Sequence, residues 1–130
     1  MKVNKHYLFI IFLVLTIVSC STDDNDTNLV TDLDPTEYYQ ELNVSYGPDS
    51  DQTFDIYLPA NRNLNTEVMI LVHGGGWSAG DKSDMNDLRD YIRSEFPNMA
   101  IVKINYRLAD QNNQPYPMQI NDITTIINLL

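Results

Sequence analysis

The sequence has one cysteine, Cys20, among 130 residues, which excludes an internal disulfide framework and any cysteine-rich zinc site. Basic residues are also scarce: eight Lys and Arg stand against eighteen Asp and Glu, a formal net charge of −10. A chain without a basic face has no means of holding a phosphate backbone, so nucleic acid is excluded as a partner. There are two histidines, His6 and His73, and no His or carboxylate cluster has metal-ligand spacing. No phosphate-cradling loop is present either, and no cofactor is expected. What remains is an ordinary globular composition, 43% hydrophobic and 20% charged, long enough for one domain and too short for two.

The first residues read as a targeting segment. Lys2 and Lys5 give a positive start, and the twelve residues Tyr7 to Val18 form an apolar run. Twelve helical residues rise about 18 Å, short of the ~30 Å hydrocarbon core, so the run is not a stable span. It ends at Ile17-Val18-Ser19-Cys20, which resembles a bacterial lipobox. Residues 1–19 are therefore expected to be a lipoprotein signal peptide, with Cys20 the lipid attachment point. Ordinary secretory cleavage and a signal anchor are the alternatives. Cleavage removes two lysines and no acids, leaving a net charge of −12. Residues 20–67 hold 11 acids and only Arg62, so residues 20–37 read as an acidic, flexible tether, or as the export signal of a surface lipoprotein. The expected location is the bacterial cell envelope, at the outer membrane or cell surface rather than the inner membrane.

Residues 38–130 carry the pattern of a folded domain. Leu42-Asn43-Val44-Ser45-Tyr46 and Phe54-Asp55-Ile56-Tyr57-Leu58 alternate with period two and predict antiparallel edge strands. Val68–Val72 is continuously apolar, which predicts a strand buried on both faces, and Ala100–Asn105 predicts another central strand. Met85, Leu88, Ile92 and Phe96 fall on one helical face, with Ser83 as N-cap and Pro97 as stop. Pro117 suits the first position of a second helix, whose buried face would be Ile120, Ile123, Ile127 and Leu130. This order predicts an α/β fold: a mostly parallel sheet with helices on both faces.

The chemistry is concentrated at His73-Gly74-Gly75-Gly76-Trp77, just after an inner strand, where ligands bind in open α/β sheets. Consecutive glycines free the backbone to converge N–H groups on an oxygen that gains negative charge, an oxyanion hole. The segment resembles the oxyanion loop of the α/β-hydrolase esterases and lipases of the HGGG type. Asp55-Ile56-Tyr57-Leu58-Pro59, Gly80-Asp81-Lys82, Asn105-Tyr106-Arg107-Leu108-Ala109 and Pro117-Met118-Gln119-Ile120-Asn121-Asp122 match the same family in order, nearest to bacterial esterases acting on acetylated or feruloylated polysaccharides and similar small esters.

The resemblance implies a carboxylic-ester hydrolase that transfers an acyl group through a serine ester, with Gly75 and Gly76 N–H groups as the oxyanion hole and His73 bracing the loop. The partners it implies are a small ester or acylated carbohydrate, and a membrane through the lipid on Cys20. Nucleophile, acid and base come later in the family's chain order, after Leu130, so this chain would be the domain's N-terminal part, truncated before the nucleophile elbow and inactive alone. Gly76-Trp77-Ser78-Ala79-Gly80 satisfies the G-x-S-x-G expression, but three residues separate it from the strand, so Ser78 is a decoy rather than a nucleophile. Arg107 reads as a structural guanidinium. Asp122 is its partner or a helix-dipole charge. Trp77 lines the acyl pocket or packs under a lid. The competing functions are a non-catalytic surface lipoprotein, or decayed hydrolase fragment, and a serine peptidase of the same fold.

Overall fold

Four short strands pair into one sheet in the computed structural model, which describes residues 33–130. The expected signal peptide, Cys20 and the expected tether up to residue 32 lie outside the described residues. The strands are β1 (Tyr39–Ser45), β2 (Thr53–Leu58), β3 (Val68–Val72) and β4 (Ala100–Ile104), in the order β1-β2-β4-β3. β1 with β2 and β2 with β4 run antiparallel, whereas β3 and β4 are parallel. The α/β class holds, but the described sheet is mixed rather than mostly parallel. β2 is an interior strand, and β3 forms an edge of the described sheet with Val68 and Val72 exposed. The strand buried on both faces is β4, every residue of which is buried.

Period-two alternation sorts the side chains into two cores. Phe54, Val102 and Ile104 join Val44 on one face, covered by Ile126 and Ile123 of α2 (Met118–Leu129). Tyr57, Leu71 and Ile101 point the other way, under Ile92 of α1 (Asn86–Glu95). Helices thus cover both faces, as expected.

Three local predictions change. A bulge between Glu41 and Val44, with Asn43 at φ 57°, breaks the alternation of β1, so Leu42 is exposed while Val44 is buried. α1 is preceded by a 3-10 turn over Lys82–Met85 whose N-cap is Asp81, not Ser83. Asp81 accepts the Ser83 N–H and Asp84 accepts the Asp81 N–H, a reciprocal capping box. Of the predicted α1 face only Ile92 is fully buried, and Leu88 and Phe96 are exposed. In the third change, α2 is rotated: Gln119, Asp122 and Ile126 are buried, while Ile120, Ile127 and Leu130 are about half exposed. The polar pair prevails because both side chains find buried partners, and its spacing carries Ile126 into the core.

Residues 33–37, assigned to the tether, are held against the β2–β3 loop. Arg62 donates to the carbonyls of Glu37 at 2.7 Å and Leu33 at 3.3 Å, and its N–H to that of Pro35 at 3.0 Å.

The α2 rotation sets a direct test. Ile126→Ala, at a fully buried site, is expected to lower unfolding stability by about 2–5 kcal/mol, and Ile127→Ala by about 0.5 kcal/mol or less, measured by urea unfolding.

Candidate active site

β3 and β4 pair with Val72 opposite Ile104, so the residues that leave their carboxyl ends emerge side by side. This register brings Tyr106 onto His73. The two rings stack at 4.4 Å and 11°, and the Tyr106 hydroxyl donates to the His73 carbonyl at 2.9 Å. Burial pushes the Tyr106 pKa up, which keeps that hydroxyl a neutral donor. His73 is 3% exposed, and its Nδ1 lies 2.7 Å from the Gly74 carbonyl, a contact that places the ring proton on Nδ1. At Gly80 (φ 103°) a Cβ would sit 2.4 Å from both His73 Nδ1 and the Gly74 carbonyl oxygen. The loop therefore closes over His73 only with glycine there.

Between these ends the chain makes a tight reversal. The Ser78 N–H donates to the Gly75 carbonyl at 3.2 Å, with Gly76 at φ 61° and Trp77 at φ 69°, the signature of a type I′ turn. Glycine adopts this conformation freely, but a tryptophan there is strained. Its indole rests on Tyr106, ring centres 5.4 Å apart, and its carbonyl accepts the Ala109 N–H at 2.8 Å. Trp77 is 39% exposed beside Gly76. Among the described residues, the N–H groups of Gly75 and Gly76 have no acceptor.

The loop's exit is fastened by a buried charge cluster. The Lys82 ammonium contacts the Asp55 carboxylate and the Asn43 side chain, and Lys103 Nζ lies 3.2 Å from the other Asp55 oxygen. Burial by itself would raise the Asp55 pKa. Hydrogen bonds from Lys82, the Asn43 N–H and Lys103 outweigh it and hold the carboxyl below its ordinary value. Asn105 accepts the Lys82 N–H at 2.6 Å and donates to Asp81 at 2.8 Å. Sequence reasoning missed this cluster, although its signal was present: a lysine inside an otherwise apolar central strand and an aspartate inside an alternating one.

A second brace joins the β4 exit to α2. Asp122 accepts the Arg107 N–H at 3.0 Å, its Nε at 3.0 Å and its Nη2 at 2.6 Å, and Gln52 Nε2 at 2.9 Å. Hydrogen bonds to Asp122 push the Arg107 pKa further up. Asp122 is thus the partner of Arg107, one of the two readings that the sequence offered. Ser78 Oγ lies 3.5 Å from the Gly75 carbonyl, and no serine hydroxyl contacts a histidine nitrogen among the described residues. Within the same residues no group of three or more His, Cys, Asp or Glu could hold a metal ion.

A parallel strand pair with a glycine turn at its carboxyl end resembles the oxyanion loop of the α/β-hydrolase esterases. Residues 54–130, more than half of the chain, match the family model BD-FAE, and the chain belongs to that family. Carboxylesterase NlhH of Mycobacterium tuberculosis is 32% identical over 83 residues, which is 64% of this chain and 25% of that protein. Esterase B from Lactobacillus rhamnosis superposes with a TM-score of 0.53 at 27% identity, over 74% of this chain and 31% of that one. A truncated carbohydrate esterase from gut microbiota shares the fold, with a TM-score of 0.56 at 23% identity over 75% of this chain and 34% of that one. The chain spans about a quarter of the length of the curated relative and about a third of each solved structure. It is thus related to carboxylesterases, and its fold is theirs.

The capping box gives a pH dependence with a definite sign. Hydrogen bonds from the Ser83 hydroxyl, the Asn105 amide and the Ser83 N–H lower the Asp81 pKa to about 2. Ionised Asp81 therefore stabilises the fold above its unfolded pKa, and that contribution disappears as pH falls through the folded value. Asp81→Asn is expected to flatten the acid limb of stability between about pH 4 and pH 2, followed by urea midpoints at each pH.

Proposed function

We propose that this protein is a serine carboxylic-ester hydrolase in which the N–H groups of Gly75 and Gly76 form the oxyanion hole. The observation that carries the reading is the Gly75–Ser78 turn at the carboxyl end of β3, whose two glycine N–H groups are free of intramolecular acceptors among the described residues. Preorganised donors of this kind stabilise the charge that develops on a carbonyl oxygen when a nucleophile adds to it, and they need no reorganisation as the reaction proceeds. His73 braces the turn. It is not assigned the base, because its ring is buried against Tyr106 and no serine hydroxyl reaches either ring nitrogen among the described residues.

The reaction also needs a hydroxyl nucleophile, a base to take its proton and an acid to orient that base. No serine–histidine pair exists among residues 33–130, so the proposal assigns all three roles to residues outside them, and the 130-residue chain alone is expected to be inactive. The substrate class proposed is a small ester or an acylated carbohydrate. It rests on the family and on a glycine turn that leaves room for a substrate carbonyl.

The test is hydrolysis of p-nitrophenyl acetate by protein expressed from the complete reading frame. Turnover is expected, and Gly75→Ala should lower kcat by about a hundredfold, because a Cβ there would meet the Ala79 carbonyl oxygen at 2.0 Å. No turnover by the unaltered protein would return the reading to a non-catalytic surface lipoprotein.

The proposal extends to location: Cys20 carries lipid and anchors the protein to the cell envelope, supported by the apolar run and lipobox-like sequence before it. Cys20→Ala is expected to abolish labelling by radioactive palmitate in the native host. Undiminished labelling would refute it.

A further inference from the structure

Gln119 stands in the first turn of α2 with its side chain 1% exposed, and none of the roles assigned so far uses it. Its Nε2 donates to the Arg107 carbonyl at 2.9 Å and reaches the Trp77 carbonyl at 3.4 Å. One amide thus ties the segment leaving β4 to the residue of the glycine turn that is held at φ 69°. We propose that Gln119 is a positioning residue for the oxyanion loop: through the Trp77 carbonyl it fixes the Trp77–Ser78 peptide, and through that peptide the turn that aims the Gly75 and Gly76 N–H groups.

Three observations carry this. A tryptophan keeps a left-handed backbone only where its surroundings over-determine it, and among the described residues its carbonyl takes two donors, the Ala109 N–H and Gln119 Nε2. The donor itself comes from a rigid place, because Asp122, less than one turn further along α2, is clamped by Arg107 and Gln52. The chemistry of the position is also selective. Two carbonyl oxygens only accept, so the residue between them must offer two N–H bonds, which glutamine does and neutral-pH glutamate does not. Gln119 Oε1 has no partner among the described residues, so the two carbonyls alone set how the amide is turned.

The catalytic consequence rests on the esterase reading; the structural part does not. The test compares Gln119→Met, which keeps the shape without the donor, and Gln119→Glu, each in protein from the complete reading frame. Amide exchange at Ser78 and Ala109 reads the turn and its anchor, and p-nitrophenyl acetate kinetics read its use. In the Met variant both amides are expected to exchange at least about tenfold faster, and kcat to fall by up to roughly a hundredfold with KM within about threefold. The Glu variant should match it at alkaline pH. As pH falls it should regain protection and kcat relative to the unaltered protein at the same pH, because a buried carboxyl protonates readily and then donates one bond. The Met variant should show no such recovery. Wild-type exchange at Ser78 and Ala109 in both variants overturns the proposal, whatever kcat does. If the unaltered protein hydrolyses no ester, the esterase reading falls, and amide exchange alone then decides the role of Gln119.

Discussion

The carboxylate of Asp55 in β2 ties together the bulge of β1, the central strand β4 and the exit of the glycine loop. It lies between two buried ammonium groups, Lys82 and Lys103, and also accepts the Asn43 N–H. Lys103 reaches on to Asn86 at the start of α1. Charges taken out of water are tolerated only when each is paired and hydrogen-bonded, because the desolvation penalty is otherwise several kcal/mol per ion. One carboxylate cannot serve two cations alone. The side-chain oxygens of Asn43 and Asn86 complete the set, and this explains the left-handed bulge at Asn43. The irregularity of β1 is thus a consequence of burying charge two strands away.

The same accounting shows which parts of the sequence were legible. Period-two and continuous apolar runs located all four strands to within a few residues, because strand burial repeats over a short span and needs no distant partner. Helix faces were read less well. In α2 the apolar residues Ile120, Ile127 and Leu130 mark a face that the structure leaves half exposed, while Gln119 and Asp122 go inside. A hydrophobicity pattern has no means of foreseeing that a carboxylate will be matched by Arg107 and Gln52, residues 15 and 70 positions away. The N-cap was missed by two residues for a local reason: both Asp81 and Ser83 are cap formers, and only the reciprocal bond from the Asp81 N–H to the Asp84 carboxylate selects Asp81.

At the site the motif was legible and the support was not. Three glycines after an apolar strand announce a backbone-lined turn, since no other residue type admits the conformation at Gly75 and Gly80. Nothing in the motif states that Tyr106 will stack on His73. That follows from the parallel register of Val72 with Ile104, a property of the sheet rather than of either segment. The position of Trp77 is likewise fixed by chain that arrives later, at Tyr106, Ala109 and Gln119.

This dependence bears on how the proposed oxyanion hole would be made rigid. Donors aimed at a developing charge help only if they are already in place, so whatever holds them must be stiffer than the charge is strong. A glycine turn is the least stiff element available, because the freedom that admits its conformation also admits others. Here the flexible stretch is short and both its ends are fixed: His73 is gripped by Tyr106, and Lys82 is locked in the Asp55 cluster. The middle is caught at Trp77, a residue whose strained backbone would relax if its carbonyl were released. Strain and brace work together, because the groups that contact Trp77 come from the exit of β4 and from α2. The geometry of the glycine N–H groups is therefore a property of the folded α/β core, although the residues that form it occupy five consecutive positions.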